Sequence, residues 1–462
     1  MRPRFKLFCA LSLAGVLAVS ACSDSTDSGS VVILHWWKQG GEADAIGALL
    51  DLYKRQNPGV GIVDASVDGS ALARSAIRSK ISEGSPPDTF QANGGWDLMA
   101  WVLDENGSPS AEKSWLEELD PVALDLVGTI PDPVLNTVSY NGKVYGVPLN
   151  IHRVNTFFYS KKVFKDVGLD VSKIDSLDKM FEAAETVKAY NQQQLMMDAN
   201  APQITPIAMG YRQTTGDMAS DDTWTLALLF FENILVARLG GDKYTKLFTE
   251  PKPNDMDTEI VMANALDDFR RLVSYSNLNA SMLTWKEPLD MVLNDEAAMT
   301  IMGDWGKGYA NSLHKGEETF GAVPTPGTAG TFVFTTDTFG LTVRSTHRDN
   351  TLKLLKLFGS REGQDVFNPK KGSISARTDS DISNPDYDAM AKQTYADFKN
   401  AEQVPATSIL ATQIYLDAIG KSLAEFAKAR ENGNPSLVRH TLDNYADVLL
   451  ASCWPKPAIN CH

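Results

Sequence analysis

VVILHWWKQGGEADAIGALLDLYKRQNPGVGIVDASVDGSALARSAIRSKISEGSPPDTFQANGGW, residues 31–96, alternates extended and helical patterns. Val31 to Trp36 is a short, apolar, β-prone run that predicts a first strand. Ala43 to Gln56 carries Ile46, Leu49, Leu50 and Tyr53 at helical spacing, and Asn57-Pro58-Gly59 stops it. Gly61 to Val67 predicts a second strand, and Ser70 to Glu83 a helix ended by Gly84-Ser85-Pro86-Pro87. Asp88 to Ala92 predicts a third strand. This alternation predicts an α/β fold with a parallel sheet. In such sheets ligands bind beyond the carboxyl ends of the strands, which here carry Trp36-Trp37 and Asn93-Gly94-Gly95-Trp96.

Further along, Asn141-Gly142 predicts a hairpin turn between 138–140 and 143–147. Residues 175–280 are expected to be mainly helical, with loops around 202–222. A strand at 298–302 ends in Gly303-Asp304-Trp305, and 332–343 alternates as strands. Residues 349–367 predict one helix, and the rest is expected to be helical to about Ser452.

Working back to the N-terminus, Arg2, Arg4 and Lys6 precede an apolar run, Leu7 to Val19, that is short for a bilayer span. This is a signal-peptide pattern. Its end, Val19-Ser20-Ala21-Cys22, resembles a lipobox, with Cys22 lipidated after removal of residues 1–21. The competing reading is a plain secretory signal. Residues 22–30, with the run SDSTDSGS, then read as a flexible tether. No later run is apolar enough to span a membrane.

The chain has 462 residues, 43 Lys+Arg against 58 Asp+Glu, and net charge −15. Loss of the three basic residues of the signal leaves 441 residues at −18. Such a surface repels phosphate backbones and argues against nucleic acid. Hydrophobic residues at 43% and charged residues at 22% exclude a disordered chain. The length favours two or three domains. Only four cysteines occur, so a disulfide scaffold and a zinc cluster are both excluded. In an oxidising compartment Cys453 and Cys461 are expected to pair across a Pro-containing loop, two free thiols being the alternative.

Tandem indoles at a strand end suit the C–H face of a pyranose, although one core Trp and one surface Trp explain Trp36-Trp37 equally well. Asp304, beside Trp305, and Asp337, near Phe339, offer charge-assisted acceptors for hydroxyls. Asn93, Asn150 and His152 add mixed donors and acceptors, each with a structural alternative as cap, turn or satisfied core group. There is no Gly-x-Ser-x-Gly elbow, phosphate-binding loop, His-Glu-x-x-His or calcium loop, so no catalytic role, metal or cofactor is expected.

The ordered set His35-Trp36-Trp37, Gly40-Gly41-Glu42-Ala43, Gly84 to Asp88, Tyr140 to Pro148, Asn150 to Arg153, Met302 to Trp305, Thr336 to Gly340, Gly359 to Gln364 and Asn368 to Ile374 resembles the family 1 extracellular solute-binding proteins of ABC importers. This is the maltose-binding-protein-like class of sugar-binding proteins, and the likeness is to its glucose/galactose-binding branch. The resemblance implies a type II periplasmic-binding-protein fold, two α/β lobes joined by a hinge that the chain crosses three times, near 148, 300 and 345. It places 31–147 plus 300–344 in the N-terminal lobe and 148–299 plus 345–462 in the C-terminal lobe.

By the same resemblance, Trp36 and Trp37 stack on a sugar ring and Glu42 binds a hydroxyl. Trp224 and Trp285 wall the cleft. Asp304, Asp337 and Lys371 hold hydroxyls, with Asn150 and His152 toward the hinge. Two departures bear on the sugar: Asn93 stands where hexose binders of the branch often have a basic residue, and Pro405-Ala406-Thr407-Ser408 lacks their His. The expected function is capture of a neutral mono- or oligosaccharide, a glucose-like hexose first, for an ABC permease, by a monomer anchored to a bacterial membrane through its lipid and facing the periplasm or the cell exterior. Capture of a polyol or related metabolite, and an exported carbohydrate-active enzyme with two carboxyls across a scissile bond, are the alternatives. A chemoreceptor role alongside transport stays open.

Overall fold

The computed structural model describes residues 29–103, 114–212, 225–249 and 256–429. Residues 31–96 fold as their alternation predicts. Strands Val31–Leu34, Ile62–Asp64 and Thr89–Asn93 flank helices Gly40–Gln56 and Ser70–Ser82. Val31–Leu34 pairs in parallel with both of the other strands. Asp337–Leu341 then adds antiparallel to Thr89–Asn93, and Val147–Pro148 antiparallel to Asp337–Leu341, which completes a five-stranded sheet. Ile33, Leu34, Phe90, Phe339, Leu355, Phe358 and Phe367 are among the residues of its core.

A second sheet runs Phe320–Pro324, Thr156–Ser160, Ala297–Met302, Thr205–Ile207. Its core takes Phe157, Phe158 and Ile301 from the strands and Phe230, Phe231, Ile234 and Leu235 from the helix Thr225–Thr249. Two separate cores over two sheets are the two lobes expected.

A third sheet, Ile374–Ser375, Asn150–Arg153, Thr331–Thr335, Glu402–Pro405, carries the chain between them. Ile151 packs in the first core and Val154 in the second. Phe332 and Phe334 point into the first core and Val333 into the second, as the period of a strand requires. Phe398 lies in the first core, Val404 and Ala406 in the second. The three crossings are therefore at 150–153, 331–335 and 402–405. The expected 300 and 345 are corrected. Met302, Ala310 and Phe320 belong to the second core, so 300–324 is not part of the first lobe. Leu354, Phe358, Phe367 and Ile374 belong to the first, so 348–376 is not part of the second.

Two local departures have clear causes. The helix expected over 349–367 is two, Arg348–Gly359 and Arg361–Lys371. Ser360 leaves helical geometry and its Oγ accepts from the Gly363 N–H, a cap that starts a new helix. The strands Ile374–Ser375 and Glu402–Pro405, too short to show a period, interrupt the helical C-terminal region. The hairpin at Asn141-Gly142 forms, with both residues at positive φ, 49° and 76°. Among the described residues no helix is long and apolar enough to cross a membrane. The signal, tether residues 22–28, Cys453, Cys461 and Trp224 lie outside the described residues.

Candidate functional site

A cavity of about 640 Å³ opens between the two cores. The first lobe contributes Trp36 at the end of Val31–Leu34, Glu42 from the first turn of Gly40–Gln56, Asn93, Asp337 and Lys371. The second contributes Trp285, Trp305 and Glu232, and the connecting sheet contributes His152 and Thr335. Strand ends and helix N-termini converge here because the parallel strands all point their carboxyl ends at the inter-lobe space.

Asp337 is the most firmly held acceptor. Its Oδ1 receives Gln91 Nε2 at 2.9 Å and its Oδ2 receives Asn150 Nδ2 at 2.7 Å, while its own N–H donates to Asn150 Oδ1 at 2.8 Å. Burial pushes this carboxyl up, but the Lys371 charge, His152 and Asn150 outweigh it and hold it down to about 2. Lys371 is 2% exposed and pairs with Glu42 Oε1 at 2.8 Å. It also lies 5.4 Å from the Trp37 ring centre. A buried lysine beside two carboxylates is a donor fixed next to acceptors, which matches a hydroxyl that both gives and takes a hydrogen bond.

His152 Nδ1 meets Asp304 Oδ1, and its Nε2 stands 3.4 Å from Asp337 Oδ2, buried and without a hydrogen bond. Burial and the Lys371 charge disfavour the imidazolium, yet Asp304 and Asp337 prevail and its pKa is raised. Trp305 meets His152 edge-on, ring centres 5.4 Å apart. Trp285 packs edge-on against Tyr309, also at 5.4 Å, which fixes the plane it turns to the cavity.

Nine of the expected residues line the cavity: Trp36, Trp37, Glu42, Asn93, His152, Trp285, Trp305, Asp337 and Lys371. Three expectations are corrected. Asp304 does not line it; its carboxylate is spent on His152 and on the Arg153 N–H at 3.0 Å. Asn150, fully buried, sits behind Asp337. Trp37 is 1% exposed and packs among His35, Phe339 and Phe367, so it borders the cavity from within the core and offers no open face for stacking.

Sequence reasoning missed several lining groups. Arg74, on the Ser70–Ser82 helix, grips buried Asp97 through Nε at 2.9 Å and Nη2 at 3.0 Å, with its guanidinium carbon 5.8 Å from the Trp36 ring centre. Burial opposes ionisation of Asp97, but the Arg74 charge overrides it and lowers its pKa. Asn93 donates to the same carboxylate from its backbone N–H at 2.9 Å and from Nδ2 at 3.2 Å. The wall that carries Asn93 thus also carries an arginine from another element. Gln39 bridges the cavity mouth, donating to Asp68 at 2.5 Å and accepting from Lys286 of the second lobe. Glu232 was legible in principle: it interrupts the apolar run LALLFFENILV, residues 226–236.

The model of the family described as bacterial extracellular solute-binding protein matches residues 37–365. An ABC transporter extracellular-binding protein of Pyrococcus horikoshii, itself uncharacterised, is 32% identical over 81% of this chain and 81% of its own length. A xylose/arabinose-binding protein of Haloferax volcanii is 27% identical over 84% of this chain and 78% of its own. A solved bacterial solute receptor with an exclusive preference for β-D-galactopyranose shares the fold, with TM-score 0.71, 17% identity, and coverage of 93% of this chain and 100% of that one.

Proposed function

The chain belongs to the bacterial extracellular solute-binding proteins, and on that premise we propose that it captures a neutral sugar between its lobes and delivers it to an ABC importer. The observation that carries this reading is the cavity lining. The half-buried indoles of Trp36, Trp285 and Trp305 line the cavity with a fixed acceptor, Asp337, and an ion-paired donor, Lys371. Indoles cover the apolar faces of a pyranose, and charge-assisted hydrogen bonds serve its rim of hydroxyls. A neutral ligand is favoured because Lys371 and Arg74 are already neutralised by Glu42 and Asp97. The sugars named for the relatives support the class, and a glucose-like hexose or short oligosaccharide fits within it.

Closure follows from population shift: a ligand that touches both walls binds the closed form better and draws the molecule toward it. The closed form then docks on the permease. Binding needs no bond to break, in keeping with relatives that are binding proteins. Residues 1–21 are removed on export and Cys22 carries the lipid, so intact-mass measurement of the mature protein should give an acylated chain starting at Cys22; an unmodified start elsewhere would overturn the anchor.

Tryptophan fluorescence titrated with neutral mono- and disaccharides tests the function. A saturable change with at least one sugar is expected. A flat response to the whole panel would sink the sugar assignment.

A further inference from the structure

Glu232 lies in the helical span Thr225–Thr249, on the part before the kink at Gly240, 3% exposed, in the second-lobe wall of the cavity. Its two oxygens are unequally placed. Oε1 accepts both from the Tyr244 hydroxyl, at 2.5 Å, and from the Thr407 N–H, at 2.6 Å. No hydrogen bond reaches Oε2 among the described residues. The described groups acting on the carboxyl are the Tyr244 hydroxyl and the amide and hydroxyl of Thr407; no cation is among them. This separates Glu232 from Asp337, Asp97 and Glu42, each of which has a Lys, Arg or His beside it.

A lone carboxylate in such a place is a buried, uncompensated anion, which folded chains avoid by holding the proton. The asymmetry fits the acid. A carbonyl-type oxygen takes both donors, and the hydroxyl-type oxygen keeps a proton to give. Burial also raises the carboxyl above its ordinary value, although Tyr244 and Thr407 favour the anion. On the opposite wall Lys371 is a donor already paired with Glu42, while Glu42 and Asp337 only accept. They serve sugar hydroxyls but cannot bind a ring or bridging oxygen, which has no proton to donate.

Building on the sugar reading, we propose that Glu232 stands in the cavity as a neutral acid and donates its Oε2 proton to an acetal oxygen, ring or bridging, of the bound sugar. Glu232 is then a specificity determinant of the second lobe. It favours ligands that present an acceptor at this corner, since both lone pairs of Oε1 are already engaged.

Two readouts test this. Infrared difference spectra of the ligand-free protein at neutral pH, wild type against Glu232→Gln, should show a protonated-carboxyl C=O band that the variant lacks. In titrations with the sugar that binds wild type, Glu232→Gln, whose amide also donates, should keep affinity within a few-fold, whereas Glu232→Leu should lose about tenfold or more. Melting curves confirm that both variants fold. An absent acid band, wild-type affinity in Glu232→Leu, or equal losses in Gln and Leu would each overturn the proposal. A wild type that binds no saccharide would instead refute the sugar reading, and donation to a sugar with it; an absent acid band with intact sugar binding refutes this proposal alone.

Discussion

His152 is held between two carboxylates that arrive from distant parts of the chain, Asp304 after one strand and Asp337 at the start of another. Its raised pKa means that the folded state binds the proton more tightly than the unfolded chain. The resulting stability is fully present below the ordinary imidazole value of 6.5 and is lost as pH rises through the folded value. Asp337 behaves oppositely: its contribution is present above the ordinary 3.8 and is lost as pH falls through about 2. Both coexist between 3.8 and 6.5. Melting temperatures measured against pH should therefore fall on the alkaline side of that window in wild type and less so in His152→Asn; parallel curves would show that His152 does not titrate there. Trp36→Ala should weaken sugar binding by about 1–3 kcal/mol, read by calorimetry, and an unchanged affinity would place the stacking surface on Trp285 and Trp305 alone. Residue types were legible from the sequence, but not which neighbours would consume them. Asp304 and Asp337 read alike in sequence, and only the fold shows that one orients His152 while the other lines the cavity. Trp36 and Trp37 were likewise equivalent until Phe339 and Phe367 closed over the second.

At the scale of elements, the lobes meet where three helices approach backbone to backbone. Gly41 of Gly40–Gln56 and Gly308 of Trp305–Ser312 lie against each other, and a Cβ on Gly308 would fall 2.3 Å from the Lys371 carbonyl oxygen. That atom is main chain at the end of the helix that carries Lys371 into the site, so it cannot move aside cheaply. Gly308→Ala should destabilise the protein by about 1–3 kcal/mol in urea denaturation and weaken sugar binding as well. Loss of neither would show that the contact is slack. The elements built on long apolar periods, 31–96 above all, were readable because burial on one face leaves a pattern. The second and third hinge crossings were not. Their strands, Thr331–Thr335 and Glu402–Pro405, are short, and Phe332, Val333 and Phe334 serve two cores in turn, so no single face is marked.

Across the whole molecule, the length first read as two or three domains resolves into two cores joined by one connecting sheet, with the cavity at their boundary. The mouth is bridged, from Asp68 through Gln39 to Lys286, so the lobes stand near each other. A sugar that touches Asp337 and Trp36 on one side and Trp285 and Glu232 on the other gives closure its differential binding energy. The central claim is capture between the lobes, and a crystal structure of the protein grown with a sugar that changes its fluorescence tests it most directly. The account predicts one sugar enclosed by both lobes, a ring face against Trp36 and hydroxyls on Asp337 and Lys371. A sugar bound outside this cavity, or to one lobe with the cleft left open, would contradict it.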